Sequence, residues 1–414
     1  MALLKNAIPA IPEVRDGDKA PGGTGTGLLR DRPLRRAVRA LRIPVLSDNP
    51  AHDPMLDALK GWAILLVVLG HAIASADANV YLPRLFARNL VFIFAYSFHM
   101  PLFIFISGFI AYGKPVQIAR KARRLLLPCL CWFFVYYFVF RWLNYGWKTF
   151  VDFSIEGLRF PRLWFLWVLF ICFAVLGIVK MAESRRAYLG WGAFLVIYVA
   201  VNLIPTQEYG MIQLKYLLPI FYLGYVAAKH RDLVDRVGQT ARKAIPFVVL
   251  ALYPFLFAAL FKQITPASDA AILSDLYRFP GEFFSRYALA FLGIAFSYCL
   301  LRVIRHTFVL PVLAWFGLLS LDIYVSHVLF LQLAVGTGTA NMLSGFIFGV
   351  ACPIALSLLV LRQSRVLGTL LLGLDYRSQP VNALVARVRS RRNGGSAIRE
   401  VEPVEGTHES PQAE

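Results

Sequence analysis

The dominant pattern along the chain is a series of apolar stretches of about 20 residues, separated by short polar connections. This pattern predicts an all-α integral membrane protein with about ten transmembrane helices in one bundle. The helical domain is expected at residues 54–375, between flexible basic tails at 1–53 and 376–414. The predicted spans start near Leu56, Asn89, Leu125, Leu163, Ala187, Met211, Ile245, Phe283, Leu310 and Met342.

The composition supports a location in the lipid bilayer. Hydrophobic residues make up 58% of the chain, whereas soluble domains contain about 45–50%. The net charge of +19 is compatible with nucleic-acid binding, but Lys and Arg fall in short clusters between the spans and in both tails. Such clusters are typical of loops beside anionic lipid. We therefore expect the bilayer, and no nucleic acid, as a partner.

The distribution of positive charge predicts the orientation. With a cytoplasmic N-terminus, the connections on that side hold about twice as many Lys and Arg residues as the opposite ones. This predicts a multi-pass protein of the inner or plasma membrane with both termini in the cytoplasm. The basic segment 34–43 is either an interfacial helix or a solvated tail. The tail from Arg389 onward has the composition of a disordered segment.

Ionisable residues inside the first span suggest function, because charged groups are costly in hydrocarbon. Lys60 and His71 are eleven residues apart in the stretch LDALKGWAILLVVLGHA. In a helix they share one face and are separated by roughly 16 Å along the axis. His99, on the second span, is predicted to lie at a depth similar to that of His71.

A polar stripe marks a later span. Ser320, Tyr324 and His327 follow i, i+4, i+7 spacing in SLDIYVSHVLF, so they share one face of an otherwise apolar helix. We expect this face to contact protein or a cavity. Three histidines at related depths are also compatible with a metal, but their spacing along the chain gives no support for one, and we predict no metal site.

Basic residues precede the third span, where Arg120, Lys121, Arg123 and Arg124 stand directly before LLLPCLCWFF. One interpretation is ordinary charge at a cytoplasmic helix end. The other is a phosphate clamp, since Arg binds phosphate in a bidentate manner and Lys binds it as a point charge.

Six motifs together resemble the acyltransferase family 3 of membrane acyltransferases, over about residues 56–361. Their order in the chain is LDALKGWAILLVVLGHA, SFHMPLFIFISGFIAY, KARRLLLPCLCWFF, LWFLWVLF, LLPIFYLGYVAAK and SLDIYVSHVLF. The resemblance implies a ten-helix bundle that moves an acyl group, usually acetyl from acetyl-CoA, onto a sugar hydroxyl of an envelope glycan or glycolipid. It also implies that His71 is the essential histidine and Lys60 its basic partner. Two residues depart from the family pattern, because Lys60 replaces a common arginine and Asp322 replaces an apolar or aromatic residue.

The resulting hypothesis is an O-acetyltransferase that uses acetyl-CoA as donor substrate and has no tightly bound cofactor. Lys60, Arg123 and Arg124 would hold the donor phosphates, and His71 would act as general base. A covalent acyl-histidine is the alternative chemistry.

Further residues are candidates for acceptor binding or for polarising the thioester oxygen, namely His99, Tyr324 and His327. Trp164 and Phe165 are predicted as interfacial anchors, with a sugar-stacking platform as the alternative. A different class of function, a transporter or flippase of a lipid-linked saccharide, would also need many helices and buried polar groups.

Overall fold

The computed structural model describes residues 53–77, 80, 89–142, 152, 154–155, 157, 163–205, 208–232, 239–261 and 280–375. These described residues form helices and turns and contain no β-strand. Apart from residue 53, both predicted tails lie outside the described residues, as does the segment 34–43. The domain boundaries therefore stay a prediction.

The helices follow the apolar stretches. They are α1 (Pro54–Ala76), α2 (Leu90–Ala111), α3 (Ile118–Trp142), α4 (Trp164–Glu183), α5 (Ala187–Leu203), α6 (Met211–Lys229), α7 (Gln239–Leu260), α8 (Pro280–Val303), α9 (Val309–Leu318), α10 (Ser320–Leu331), α11 (Gly338–Leu356) and α12 (Arg365–Leu372), with a π-helical turn at Ser357–Leu361 between α11 and α12. Side-chain caps fix several starts. Asp53 accepts from the Met55 N–H (2.9 Å) before α1, and Asn89 accepts from the Phe92 N–H (3.0 Å) before α2.

The predicted fold class is confirmed, and the number of spans differs from the prediction. Within the described ranges, eight helices are long and apolar enough to cross a membrane, or nine if α9 and α10 count as one span. The predicted span near Ala187 is helical but has 17 residues, shorter than the other spans. By length and composition, the described helices therefore provide eight or nine spans and not the predicted ten.

The span predicted from Leu310 is not one continuous helix. It breaks at Leu319, and the axes of α9 and α10 differ by 77°. Leu319 has φ −99° and ψ 5°, outside the α-helical region, which interrupts the regular hydrogen bonding. The apolar pattern continues across this residue, so the pattern does not reveal the break.

α1 lies at the centre of the bundle and packs against α2, α9, α10 and α11. Its contact with α9 brings the two backbones together. A Cβ atom at Gly61 would lie 1.8 Å from the Leu313 carbonyl oxygen, and one at Gly317 would lie 1.9 Å from that of Asp57. Small residues allow such close approach between membrane helices.

α2 makes the same kind of contact with α6. A Cβ at Gly108 would lie 2.0 Å from the Phe221 carbonyl oxygen, and one at Gly224 would lie 2.2 Å from that of Phe105. The two contacts therefore define two tightly joined helix pairs, α1–α9 and α2–α6.

The ends of α2, α4 and α6 lie side by side. Lys180, near the end of α4, donates to the carbonyl oxygens of Ala111 (2.8 Å) and Lys114 (2.7 Å) at the end of α2. Glu183 at the end of α4 forms an ion pair with Lys229 at the end of α6. We call this side of the bundle the basic end.

α1 begins at the basic end because it is antiparallel to α2. Gly70, near the end of α1, faces the ring of Tyr96, near the start of α2. His71 therefore lies in the half of the bundle away from the basic end.

Candidate active site

His71 and His327 meet between α1 and α10. The Nδ1 atom of His71 lies 3.1 Å from the Nε2 atom of His327, and the ring centroids are 5.0 Å apart. His327 is 1% exposed, whereas His71 is half-buried. The inward face predicted for the polar stripe on α10 is confirmed for Tyr324 and His327, which are buried, whereas Ser320 is half-buried.

The backbone around His327 determines where the protons of this pair lie. The Nδ1 atom of His327 is 2.8 Å from the carbonyl oxygen of Tyr324 and 3.1 Å from that of Ile323, so in neutral His327 this nitrogen carries the proton and donates it. Its Nε2 atom then accepts from the Nδ1–H group of His71, which also has a hydrogen bond to the backbone of Val67. The Nε2 atom of His71 then carries a lone pair to which no group among the described residues donates, the arrangement that a general base needs.

His99 joins this cluster through the ring of Tyr96. The Tyr96 ring lies 4.9 Å from His99 and 6.2 Å from His71, measured between centroids. His99 is 3% exposed, and its Nδ1 atom is 2.6 Å from the carbonyl oxygen of Ala95, so Nδ1 carries the proton and Nε2 has the lone pair. Among the described residues, no three His, Cys, Asp or Glu side chains are arranged to hold a metal ion.

Tyr324 lies one turn before His327 on α10. Its ring is 6.1 Å from the His327 ring and 5.5 Å from that of Phe165 at the start of α4. The Phe165 N–H donates to the Tyr324 hydroxyl at 3.4 Å. Tyr136 of α3 secures the same helix by donating its hydroxyl to the Val325 carbonyl oxygen at 3.0 Å.

The prediction that Phe165 is an interfacial anchor is wrong. Phe165 is 7% exposed and packs against Phe103 and Tyr324 inside the bundle. Among the described residues, this packing leaves little ring surface for a sugar or a headgroup. Trp164, which is half-buried, keeps the anchor interpretation as a prediction.

The predicted phosphate-binding residues lie apart from the histidines, towards the basic end. Lys60 forms an ion pair with buried Asp57 at 2.8 Å, and Arg123 pairs with Asp375 after α12. Arg124 is exposed and lies within electrostatic range of Asp322. Two of the three predicted cations thus already have a carboxylate partner.

Three other lysines lie at the basic end, of which Lys121 was named in the predicted phosphate clamp, whereas Lys114 and Lys180 were not. Lys121 lies within electrostatic range of Arg124, Lys114 and Lys180, and its ammonium group is 3.5 Å from the centroid of the Phe173 ring. Lys114 follows α2 and Lys180 lies near the end of α4. Lysines at such positions are expected from the positive-inside rule, so the sequence does not indicate a specific role for them. We call Lys114, Lys121, Arg124 and Lys180 the cation cluster.

A buried ionic network at the start of α10 was also missed. Asp322, 2% exposed, accepts from the Arg362 Nε–H at 2.7 Å and from the Ser357 hydroxyl. Ser357 begins the π-helical turn, and such turns are frequent at functional sites. The signal in the sequence was an acidic residue within an apolar span.

A sequence model of a protein family, described as an acyltransferase domain, matches residues 53–362. The nodulation protein NolL of Mesorhizobium japonicum is 28% identical over 193 residues, which cover 43% of this chain and 48% of that protein. The nodulation protein NolL of Sinorhizobium fredii is 29% identical over 194 residues, covering 43% and 49%. The chain thus spans about half the length of these curated relatives. No solved structure gives a significant match.

Proposed function

Because the chain belongs to acyltransferase family 3, we propose that it moves an acetyl or other short acyl group from acyl-CoA to a hydroxyl of an envelope polysaccharide or glycolipid. The family predicted from the six motifs is confirmed. The observation that best supports this function is the pair of hydrogen-bonded imidazoles, which gives His71 a free Nε2 lone pair inside an apolar helical bundle.

The proposed chemistry starts with proton transfer to His71. Its Nε2 atom takes the proton of the acceptor hydroxyl as that oxygen bonds to the thioester carbonyl carbon. The imidazolium that forms is stabilised by its Nδ1–H bond to His327. Collapse of the intermediate breaks the C–S bond, and His71 returns the proton to the CoA thiolate. A positioned base of this kind contributes about 10² to 10⁴ in rate.

His99 supports acceptor binding in this scheme. With its Nδ1–H bonded to Ala95, its Nε2 atom can accept a hydrogen bond from a second hydroxyl of a sugar. A covalent acyl-histidine on His71 is the alternative route, and it uses the same lone pair.

The donor phosphates are assigned to the basic end. The cation cluster supplies positive charge there, and Arg124 offers the bidentate geometry that phosphate favours. Lys60 and Arg123 are additional partners that must exchange a carboxylate for a phosphate. From the level of Lys60, the pantetheine arm has roughly 16 Å to cover along α1 before the thioester reaches His71.

This arrangement requires the basic end to face the compartment that contains acyl-CoA. We therefore propose an inner or plasma membrane protein with both termini in the cytoplasm, consistent with the distribution of Lys and Arg. The acceptor then approaches the histidines from the opposite half of the bundle.

The test is His71→Ala in full-length protein reconstituted in lipid nanodiscs with an envelope glycan or glycolipid fraction. We expect CoA release to fall by about 10² to 10⁴ with CoA binding unchanged, because the base acts only in the chemical step. His230→Ala, at an exposed histidine after α6, is the matched control and should keep normal turnover. A well-folded His71→Ala protein with near-normal turnover would contradict the assignment. Saccharide transport by wild-type protein without acyl transfer would favour the transporter instead.

A further inference from the structure

The proposed reaction needs a hydrogen-bond donor that the three histidines do not supply. When the acceptor oxygen adds to the thioester, the carbonyl oxygen becomes an anion, and preorganised donors at that position lower the barrier. In the neutral cluster the Nδ1–H groups of His71, His327 and His99 are all engaged. The Nε2 atoms of His327 and His99 carry lone pairs, and the proton that His71 gains on Nε2 is needed by the leaving thiolate, so a separate donor must serve the oxyanion.

Tyr324 has the missing property. It is 8% exposed, and its hydroxyl oxygen accepts the Phe165 N–H. Among the described residues this is the one hydrogen bond to that hydroxyl, and it uses an oxygen lone pair rather than the O–H proton. The proton is therefore available to another acceptor. Tyr136 provides the contrast, because its O–H is committed to the Val325 carbonyl oxygen.

The Phe165 N–H also favours this use of the hydroxyl. It belongs to the first turn of α4, where amide hydrogens have no acceptor within the helix and the partial charge is positive. A hydroxyl that accepts such a bond becomes a better donor, because hydrogen bonds in a chain polarise one another.

We propose that Tyr324 is a catalytic residue whose O–H group donates a hydrogen bond to the oxyanion of the tetrahedral intermediate. This assignment rests on the acyl transfer proposed above. Tyr324 and His327 are three residues apart on α10, and His327 is hydrogen-bonded to His71 of α1. One turn of α10 therefore positions both the base and the proposed donor. As the C–O bond forms, the carbonyl π electrons move to the oxygen and are stabilised by Tyr324. They return when the C–S bond breaks, and Tyr324 keeps its proton throughout.

The test is Tyr324→Phe, which keeps the ring against Phe165 and removes the hydroxyl. With acetyl-CoA and the acceptor fraction, we expect kcat to fall by about 10² to 10³, the usual effect of losing one oxyanion donor. The KM for acetyl-CoA and the thermal unfolding midpoint should change little. Tyr216→Phe is the control, because the Tyr216 hydroxyl also makes a weak backbone bond of 3.4 Å, in its case donated to the Arg286 carbonyl oxygen, on a helix outside the cluster. Its kcat should stay within twofold of wild type.

A second pair of variants tests the orientation of the hydroxyl without changing Tyr324. Phe165→Pro removes the N–H at the second position of α4, where proline is tolerated. Phe165→Leu removes the ring but keeps the N–H. We expect kcat to be several-fold lower for Phe165→Pro than for Phe165→Leu, and equal values would contradict the proposal.

Three further results would overturn the assignment. A folded Tyr324→Phe protein with wild-type kcat would remove the hydroxyl from the mechanism. An acetyl group found on Tyr324 by mass spectrometry of acid-quenched enzyme would make it a nucleophile instead. If wild-type protein releases no CoA in the presence of acceptor, the proposed function itself fails, and this inference fails with it.

Discussion

Replacing His327 by leucine should slow acyl transfer, because the Nδ1–H group of His71 then loses its imidazole acceptor and only the backbone bond of His71 to Val67 is kept. In the structure this bond is 3.1 Å long and lies between one half-buried and one fully buried ring. During catalysis His71 becomes positively charged, and hydrogen bonds to charged groups are worth about 1.5 to 3 kcal/mol. The expected fall in kcat is therefore roughly 10- to 150-fold.

The measurement is the initial rate of CoA release at saturating acetyl-CoA, with protein in nanodiscs. His327→Gln is the matched control, because its side-chain carbonyl can accept from His71 at a position close to that of Nε2. We expect it to keep most of the activity that His327→Leu loses. Equal rates for the leucine variant and wild type, with both proteins folded, would refute the role of His327 in holding His71. Equal losses in both variants would indicate a packing defect instead.

Further predictions concern the donor site, the helix contact and the orientation. Arg124→Ala and Lys60→Ala should each weaken CoA binding about ten- to hundredfold, since each removes a charge-assisted contact of about 1.5 to 3 kcal/mol; normal CoA titrations of both folded variants would contradict the clamp. Gly61→Ala places a Cβ 1.8 Å from the Leu313 carbonyl oxygen, so we expect about 1 to 3 kcal/mol of destabilisation, visible as a lower unfolding temperature; an unchanged midpoint would argue against the contact. A cysteine at Ser396, outside the described residues, should react with an impermeant thiol reagent only after permeabilisation, and labelling in intact cells would reverse the orientation.

The helices themselves were predictable from the chain, because hydrocarbon allows few alternatives to long apolar helices. The starts at Ala187 and Met211 agree with the structure to the residue, and that at Leu90 differs by one. The break at Leu319 was not predictable. It involves neither proline nor glycine at that residue, and the apolar pattern is the same on both sides.

The sequence predicts on which helix face and at what depth each candidate residue lies, but it does not predict which side chains contact one another. Periodicity shows that His327 points inward, whereas it does not show which helix lies opposite. The bond to His71 depends on how α1 and α10 pack, and that information is spread over the whole bundle. The pairing of Lys60 with Asp57 is different, because the i, i+3 spacing indicates it directly.

The backbone contacts at Gly61 and Gly108 should resist sliding within a helix pair more strongly than movement of one pair relative to the other. Within each pair, α1–α9 or α2–α6, sliding would push a carbonyl oxygen against the opposite backbone, so each pair should move as a rigid body. Any widening needed to admit a substrate then occurs between the pairs. His71 lies on one pair and His99 on the other, so the same displacement that opens the passage also sets the separation of these two imidazoles.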